Sequence, residues 1–276
     1  MGQKSKPRTI RMPFATDLGP RMGSGQDNAV FQMLHKNPSP GMKPHERQPS
    51  GTVLKVNHKT ASTHRVRHHD DREAAMRGVL YKKHKYDILK RFLGDFIPES
   101  SFVLGNVTEN TTERYAEYTV QQEVPKVSLN DLSDEQKKDP RIKAQVVSLM
   151  NRLKFMYSVL GEVNARTADG VSLDGKLDLG GVSDYVLAES LDRGFTGADA
   201  DAIINSNSSS NLLVDSGSMR LYCIDFDQGQ WRPGMDEAKA MAMEIADQRD
   251  AVVGNLGTVA SNGAFSQPEF EFHPVE

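Results

Sequence analysis

Along the 276-residue chain the apolar positions change period several times, and each change marks an expected element. Apolar runs of strand length occur in MGSGQDNAVFQML and SGTVLKV, and again in SFVLGNVT and RYAEYTVQQEV, which are joined by the polar turn TENTTE. NLLVDSGSMRLYCIDF reads as a hairpin of two short strands about a polar turn. Helical spacing takes over in three places. Asp70 to Leu93 starts with acids and stops at Gly94, although its period is imperfect around Lys82 to Lys85 and leaves room for a kink or two helices. Val146, Leu149, Met150, Leu153, Met156, Tyr157 and Leu160 form the apolar stripe of a second helix, and DEAKAMAMEIADQRDAVV is a third.

The remaining stretches lack a period. Residues 1–22 are basic and rich in Pro and Gly and read as a flexible arm; KNPSPGMKPHERQPS reads as a long loop, and residues 251–276 as a flexible tail. Residues 161–210 are rich in Gly, Asp, Ser and Asn, with a short helix expected near 184–192. The order is strands, helix, strands, then mostly helix with one late hairpin. This predicts an α+β fold in two lobes, a β-rich one over 23–122 and a compact, mainly helical one over 123–250.

Composition narrows the picture. An apolar fraction of 37% is enough for a core, while a mean hydropathy of -0.55 places part of the chain outside it. The net charge of -3 supplies no overall field toward nucleic acid or a membrane surface. Cys223 is the single cysteine, so no intrachain disulfide can form, which fits a reducing compartment. The N-terminal MGQKSKPRTIRMPF has no apolar core of a secretory signal, and Lys6 stands where myristoylation needs Ser or Thr. No apolar run reaches the length of a membrane span. The expected location is the cytoplasm.

Candidate chemistry begins at LYCIDFDQGQW, where an apolar strand ends on Asp225 and Asp227; a carboxylate there needs a cation to meet it. Asn211 opens the same hairpin, so Asn211 and Asp225 return to one place and offer the oxygen ligands that Mg²⁺ accepts. Gly23 and Gly25 stand in a turn where backbone N–H groups can approach phosphate, though a simple flexible turn reads equally well. Lys55 lies between Leu54 and Val56 in the next strand, and Glu73 begins the helix that follows; alone, each is a solvated lysine and an acid favoured by the helix dipole.

Taken in order, these pieces resemble the protein kinase-like superfamily. GSGQDNAVF is similar to its glycine-rich loop, which implies nucleotide contacts from Gly23, Gly25, Asn28 and Val30. VLKV looks like the strand of the phosphate-binding lysine, here Lys55, and Glu73 matches its helix partner. VQQEVPKVSL looks like the hinge, near 123–128, where Glu123 and Val124 would present backbone groups to adenine. NLLVD and IDFD resemble the metal-binding elements, which makes Asn211 and Asp225 magnesium ligands. IDFDQGQWRPG is most similar to the bacterial lipopolysaccharide core sugar kinases and aminoglycoside phosphotransferase-like small-molecule kinases. The resemblance implies an ATP- and Mg²⁺-dependent phosphotransferase acting on a hydroxyl of a small or carbohydrate molecule. No A-P-E element follows Asp227, which argues against a protein substrate.

The family's catalytic aspartate is expected five residues before Asn211, where Ser206 stands. Asp178 in KLDLGG is the favoured substitute, with Asp199 or Asp201 as alternatives. If none serves, the chain is a pseudokinase, a nucleotide-binding or protein-interaction module. HKTASTHRVRHHDDR, with four histidines, reads as a solvated loop in preference to a metal site, and Cys223 as a core residue. A nucleic-acid or partner-binding protein using the basic arm and this loop ranks behind both kinase readings.

Overall fold

The computed structural model describes residues 10–11, 18–24, 28–34, 49–57, 69–109, 112–124, 127–167, 173, 181–188, 194–206, 211–224 and 233–256. Strands β1 (Ile10–Arg11), β2 (Leu18–Ser24), β3 (Asn28–Leu34), β4 (Pro49–Asn57), β5 (Ser100–Glu109) and β6 (Thr112–Gln122) form a six-stranded sheet in the order β1-β5-β6-β4-β3-β2. Every pairing in it is antiparallel. A second, three-stranded sheet joins β7 (Val127–Ser128), β8 (Leu212–Asp215) and β9 (Arg220–Cys223). The helices are α1 (Arg72–Leu93), α2 (Asp134–Lys137), α3 (Pro140–Arg166), α4 (Gly181–Ala188), α5 (Gly197–Asn205) and α6 (Met235–Leu256). The fold is α+β. Among the described residues no helix is long and apolar enough to cross a membrane.

Alternation along β4 and β6 sorts the large sheet into two faces. Phe31, Met33, Leu54, Val56, Ala116, Tyr118 and Val120 pack together on one. Val53, Lys55, Glu117, Thr119 and Gln121 point the other way, where Glu117 meets Lys82 of α1 and the rings of Tyr86 and Phe102 stack edge to face, 5.5 Å apart. The polar face is therefore the buried interface with α1.

Helix α1 is a single helix, so the imperfect period around Lys82 to Lys85 marks no break. Lys82, His84 and Lys85 interrupt the apolar stripe because they are buried. Asp71 caps the start by accepting from the amides of Glu73 and Ala74, and Gly94, at φ 58° and ψ -125°, takes a positive-φ conformation open to glycine that ends it. Its C-terminal half carries Ile88, Leu89, Phe92 and Leu93 into a core with the stripe of α3, with Ile203 and Ile204 of α5, with Ala238 and Ala242 of α6, and with Val214 and Leu221 of the hairpin. Burying each such large side chain stabilises by about 1.5–3 kcal/mol, so this core dominates the helical part.

Three sequence expectations change. The arm expected over 1–22 enters the sheet at β1, against Val107 and Asn106, and at β2 against β3. Strand β2 lies at the sheet's edge, where Pro20 is tolerated because one side of the strand has no ladder to supply. Helix α6 reaches Leu256, six residues into the expected tail. Helix α5 was hidden in a stretch poor in apolar residues, and its signal is local: Asp199 accepts from both the amide and the hydroxyl of Thr196 at 2.7 Å, a reciprocal cap at the helix start.

Helices α1 and α6 are clasped by charge. Asp87 accepts from Lys83 at 2.8 Å and from Lys239, and His84 Nε2 lies 2.5 Å from Asp236 Oδ1. Burial works to raise the Asp87 carboxyl, but hydrogen bonds and charge from Lys239 and Lys83 outweigh it and hold the group below its usual value. A carboxyl depressed in the folded state adds stability above its unfolded value of about 3.9 and loses it as pH falls through the folded one. Lys239→Met is therefore expected to melt below the wild type at neutral pH, with the gap closing as pH falls below about 4 in thermal scans.

Candidate functional site

The register of the large sheet sets out one lateral row. Gly23 in β2 stands opposite Val30 in β3, Val30 opposite Lys55 in β4, Lys55 opposite Thr119 in β6, and Thr119 opposite Phe102 in β5. Directly opposed residues share a face, so Val30, Lys55 and Thr119 face α1 together. Lys55 is only 8% exposed, and a buried ammonium requires a compensating environment. Asn28 opens β3 opposite Asn57. Gly25 lies outside the described residues.

Glu73 does not join this row. It sits in the first turn of α1 with its side chain 80% exposed, and its ion pair is with Arg77 at 3.1 Å. The helix buries Ala75, Val79 and Lys82 toward the protein, which turns Glu73 to solvent. The acid on the Lys55 face is instead Glu117 of β6. Its Oε1 lies 2.9 Å from His69 Nε2, and its Oε2 forms an ion pair with Lys82 Nζ at 3.2 Å. Lys82 is 3% exposed and Glu117 9%. His69 is pinned by its backbone as well, exchanging hydrogen bonds of 2.7 and 2.9 Å with Tyr115. This member of the histidine-rich loop is thus built into the protein; the other three histidines lie outside the described residues.

Gly78 makes the approach possible. A Cβ there would fall 1.9 Å from Glu117 Oε1, so any side chain would push the carboxylate off both partners.

The hairpin of β8 and β9 pairs Leu212 with Cys223, and the Ile224 amide donates to the Asn211 carbonyl at 3.0 Å. Asp225 is the next residue in sequence and lies outside the described residues, as does Asp227. The turn is tied by Asp215 Oδ1, which accepts from the Gly217 and Ser218 amides at 2.9 and 3.4 Å. Gln145 of α3 clamps it from the side, accepting from the Leu221 amide at 2.9 Å and donating to the Met219 carbonyl at 2.7 Å. Cys223 is buried, and burial pushes its thiol far up, which suits a core residue.

Asp178 lies outside the described residues. The other two aspartates considered for the base are engaged in the fold. Asp199, 6% exposed, caps α5 and accepts from the Tyr185 hydroxyl at 3.0 Å, while Asp201 pairs with Lys143 of α3 at 2.5 Å. Ser206 closes α5 by donating its hydroxyl to the Ile203 carbonyl at 2.9 Å. Glu123 and Val124 leave β6 toward β7, and the Glu123 amide donates to Gly51 O at 2.8 Å, so what Glu123 has left to present is its carbonyl.

Among the described residues no three His, Cys, Asp or Glu side chains converge on a point that would hold a metal. Compared with known proteins, the chain matches no protein-family model and no curated protein.

Three substitutions check these assignments. Ala is the better helix former than Gly by about 1 kcal/mol, yet Gly78→Ala is expected to lower unfolding stability by about 2 kcal/mol or more in urea titrations, since it displaces a buried, paired carboxylate. Asp199→Ala is expected to lose about 1–2 kcal/mol as a cap, whereas exposed Asp201→Ala changes stability by less than about 0.5 kcal/mol.

Proposed function

We propose that the chain is an ATP- and Mg²⁺-dependent phosphotransferase with a two-lobed, protein kinase-like fold, acting on a hydroxyl of a small or carbohydrate molecule. The observation that carries this reading is the hairpin: the 3.0 Å bond from the Ile224 amide to the Asn211 carbonyl holds Asn211 beside the residue that precedes Asp225. An amide oxygen and a carboxylate from the two ends of one hairpin are hard donors of the kind Mg²⁺ takes together with phosphate oxygens. Bound there, Mg²⁺ neutralises charge on the transferring phosphoryl group.

The rest of the chain supplies positioning, which is most of what phosphoryl transfer asks of a protein. Lys55, buried in the row between Val30 and Thr119, directs its ammonium to phosphate oxygens. Gly23, opposite Val30, and Gly25 beyond it let the β2–β3 turn come close to the phosphates. Asn28 closes that turn. Glu123 and Val124, at the junction of the two sheets, present backbone groups to the adenine, the Glu123 carbonyl among them. Asp178 accepts the proton of the acceptor hydroxyl as the phosphoryl group moves to it.

A second reading has its own support. Ser206 holds the position of the catalytic aspartate, and Asp199 and Asp201 are committed to α5 and α3. A module that binds nucleotide without turnover fits those facts, and Asp178 decides between the two.

Thermal melts with ATP and MgCl₂ test binding. A hundredfold excess over Kd stabilises by about 2.7 kcal/mol, which raises the melting temperature by several degrees. Lys55→Met and Asp225→Ala are each expected to abolish that rise; no rise in the wild type at any concentration would sink both readings. With binding established, ATP turnover that vanishes in Asp178→Ala while the thermal shift persists identifies the enzyme. Absence of turnover in the wild type identifies the binding module.

A further inference from the structure

We infer that Glu117, held by Lys82 and His69, is the positioning residue for Lys55, and that Glu73 has no part in nucleotide binding; the inference rests on the phosphotransferase reading above. In the pattern that Glu73 was expected to fulfil, a helix acid meets the strand lysine. Here the polarity is reversed, with the buried acid on strand β6 and the buried lysine on helix α1. Glu117 stands two residues along β6 from Thr119, the residue opposite Lys55, so the Glu117 and Lys55 side chains are diagonal neighbours on the face under α1. Such neighbours lie within about 7–8 Å, so the two side chains share one stretch of the face under α1.

The same carboxylate sets where the helix sits. Three groups approach it at once: Lys82 at 3.2 Å and the bare Gly78 backbone from α1, and His69 at 2.9 Å from the segment entering α1. Sliding α1 by one residue would move Lys82 by about 1.5 Å along the axis and 100° around it, stranding two buried charges. The register of α1 over β5 and β6 is therefore a single setting, and that setting fixes the helix above the face that carries Lys55. Glu73, 80% exposed and paired with Arg77, constrains nothing on that face.

The test measures Kd for ATP with Mg²⁺ by calorimetry on the full chain, beside the melting temperature without nucleotide. Replacing both partners, Lys82→Met with Glu117→Met, leaves neither member of that ion pair buried without the other and is expected to keep the melting temperature near that of the wild type. Its Kd is expected to rise tenfold or more, a change that a purely structural role would not produce at unchanged stability. Glu73→Ala is expected to stay within about twofold of the wild type. Should the double variant melt early, Glu117→Gln, which keeps the side chain's shape, gives the same reading in the cold. Wild-type affinity in the folded Glu117 variants, or a tenfold loss in Glu73→Ala, overturns the inference while leaving the phosphotransferase reading intact. A wild type that binds no Mg²⁺–ATP overturns both.

Discussion

A buried carboxylate has to be neutralised, and the way Glu117 is neutralised ties the large sheet to everything else. Removing a charge from water costs several kcal/mol, which only close partners repay. Glu117 takes one partner from α1 and one from the segment leading into it, with glycine at the point of contact. Helix α1 then carries Ile88, Leu89, Phe92 and Leu93 away from the sheet into the core built on α3. One ion pair thus sets the position of a helix that belongs to two interfaces, and through it the position of β4 relative to α3.

The hairpin is fixed by the complementary device. Its core side is apolar, with Leu212, Val214, Leu221 and Cys223 buried, and hydrophobic packing alone is weakly directional. Gln145 supplies direction: its amide satisfies one backbone donor and one backbone acceptor of β9 and the turn, so the hairpin cannot slide along α3 without losing both. Helix α1 and the hairpin are consequently each placed by a buried polar contact backed by an apolar core.

How much of this was legible follows from which signals are local. Helices α1 and α3 show long apolar stripes with clear ends, and the hairpin is bounded by its turn; these reflect burial against one partner, which periodicity reports. Strands β1 and β2 were missed because an edge strand needs ladder bonds on one side only and accepts Gly19, Pro20 and basic residues. Glu117 was missed for a different reason. In RYAEYTVQQE, alternation sets Ala116, Tyr118 and Val120 on the apolar face and leaves Glu117, Thr119 and Gln121 as an ordinary solvated face. Only a helix lying over that face buries it, and the trace of this in α1 was the interruption around Lys82 to Lys85, read as room for a kink or two helices.

Binding and chemistry rest on the chain in different ways. The row from Gly23 to Phe102 and the closure of the hairpin at Asn211 are held by backbone ladders, which tolerate many side-chain changes as long as the face pattern survives. On the phosphotransferase reading, proton transfer would hang on one carboxylate, which nothing in the backbone enforces. Asp199 illustrates the point: with the right charge and in the right part of the sequence, it is drawn into an N-terminal cap because α5 begins there. On the phosphotransferase reading, a serine at 206 therefore weighs against turnover far more than it weighs against a nucleotide site.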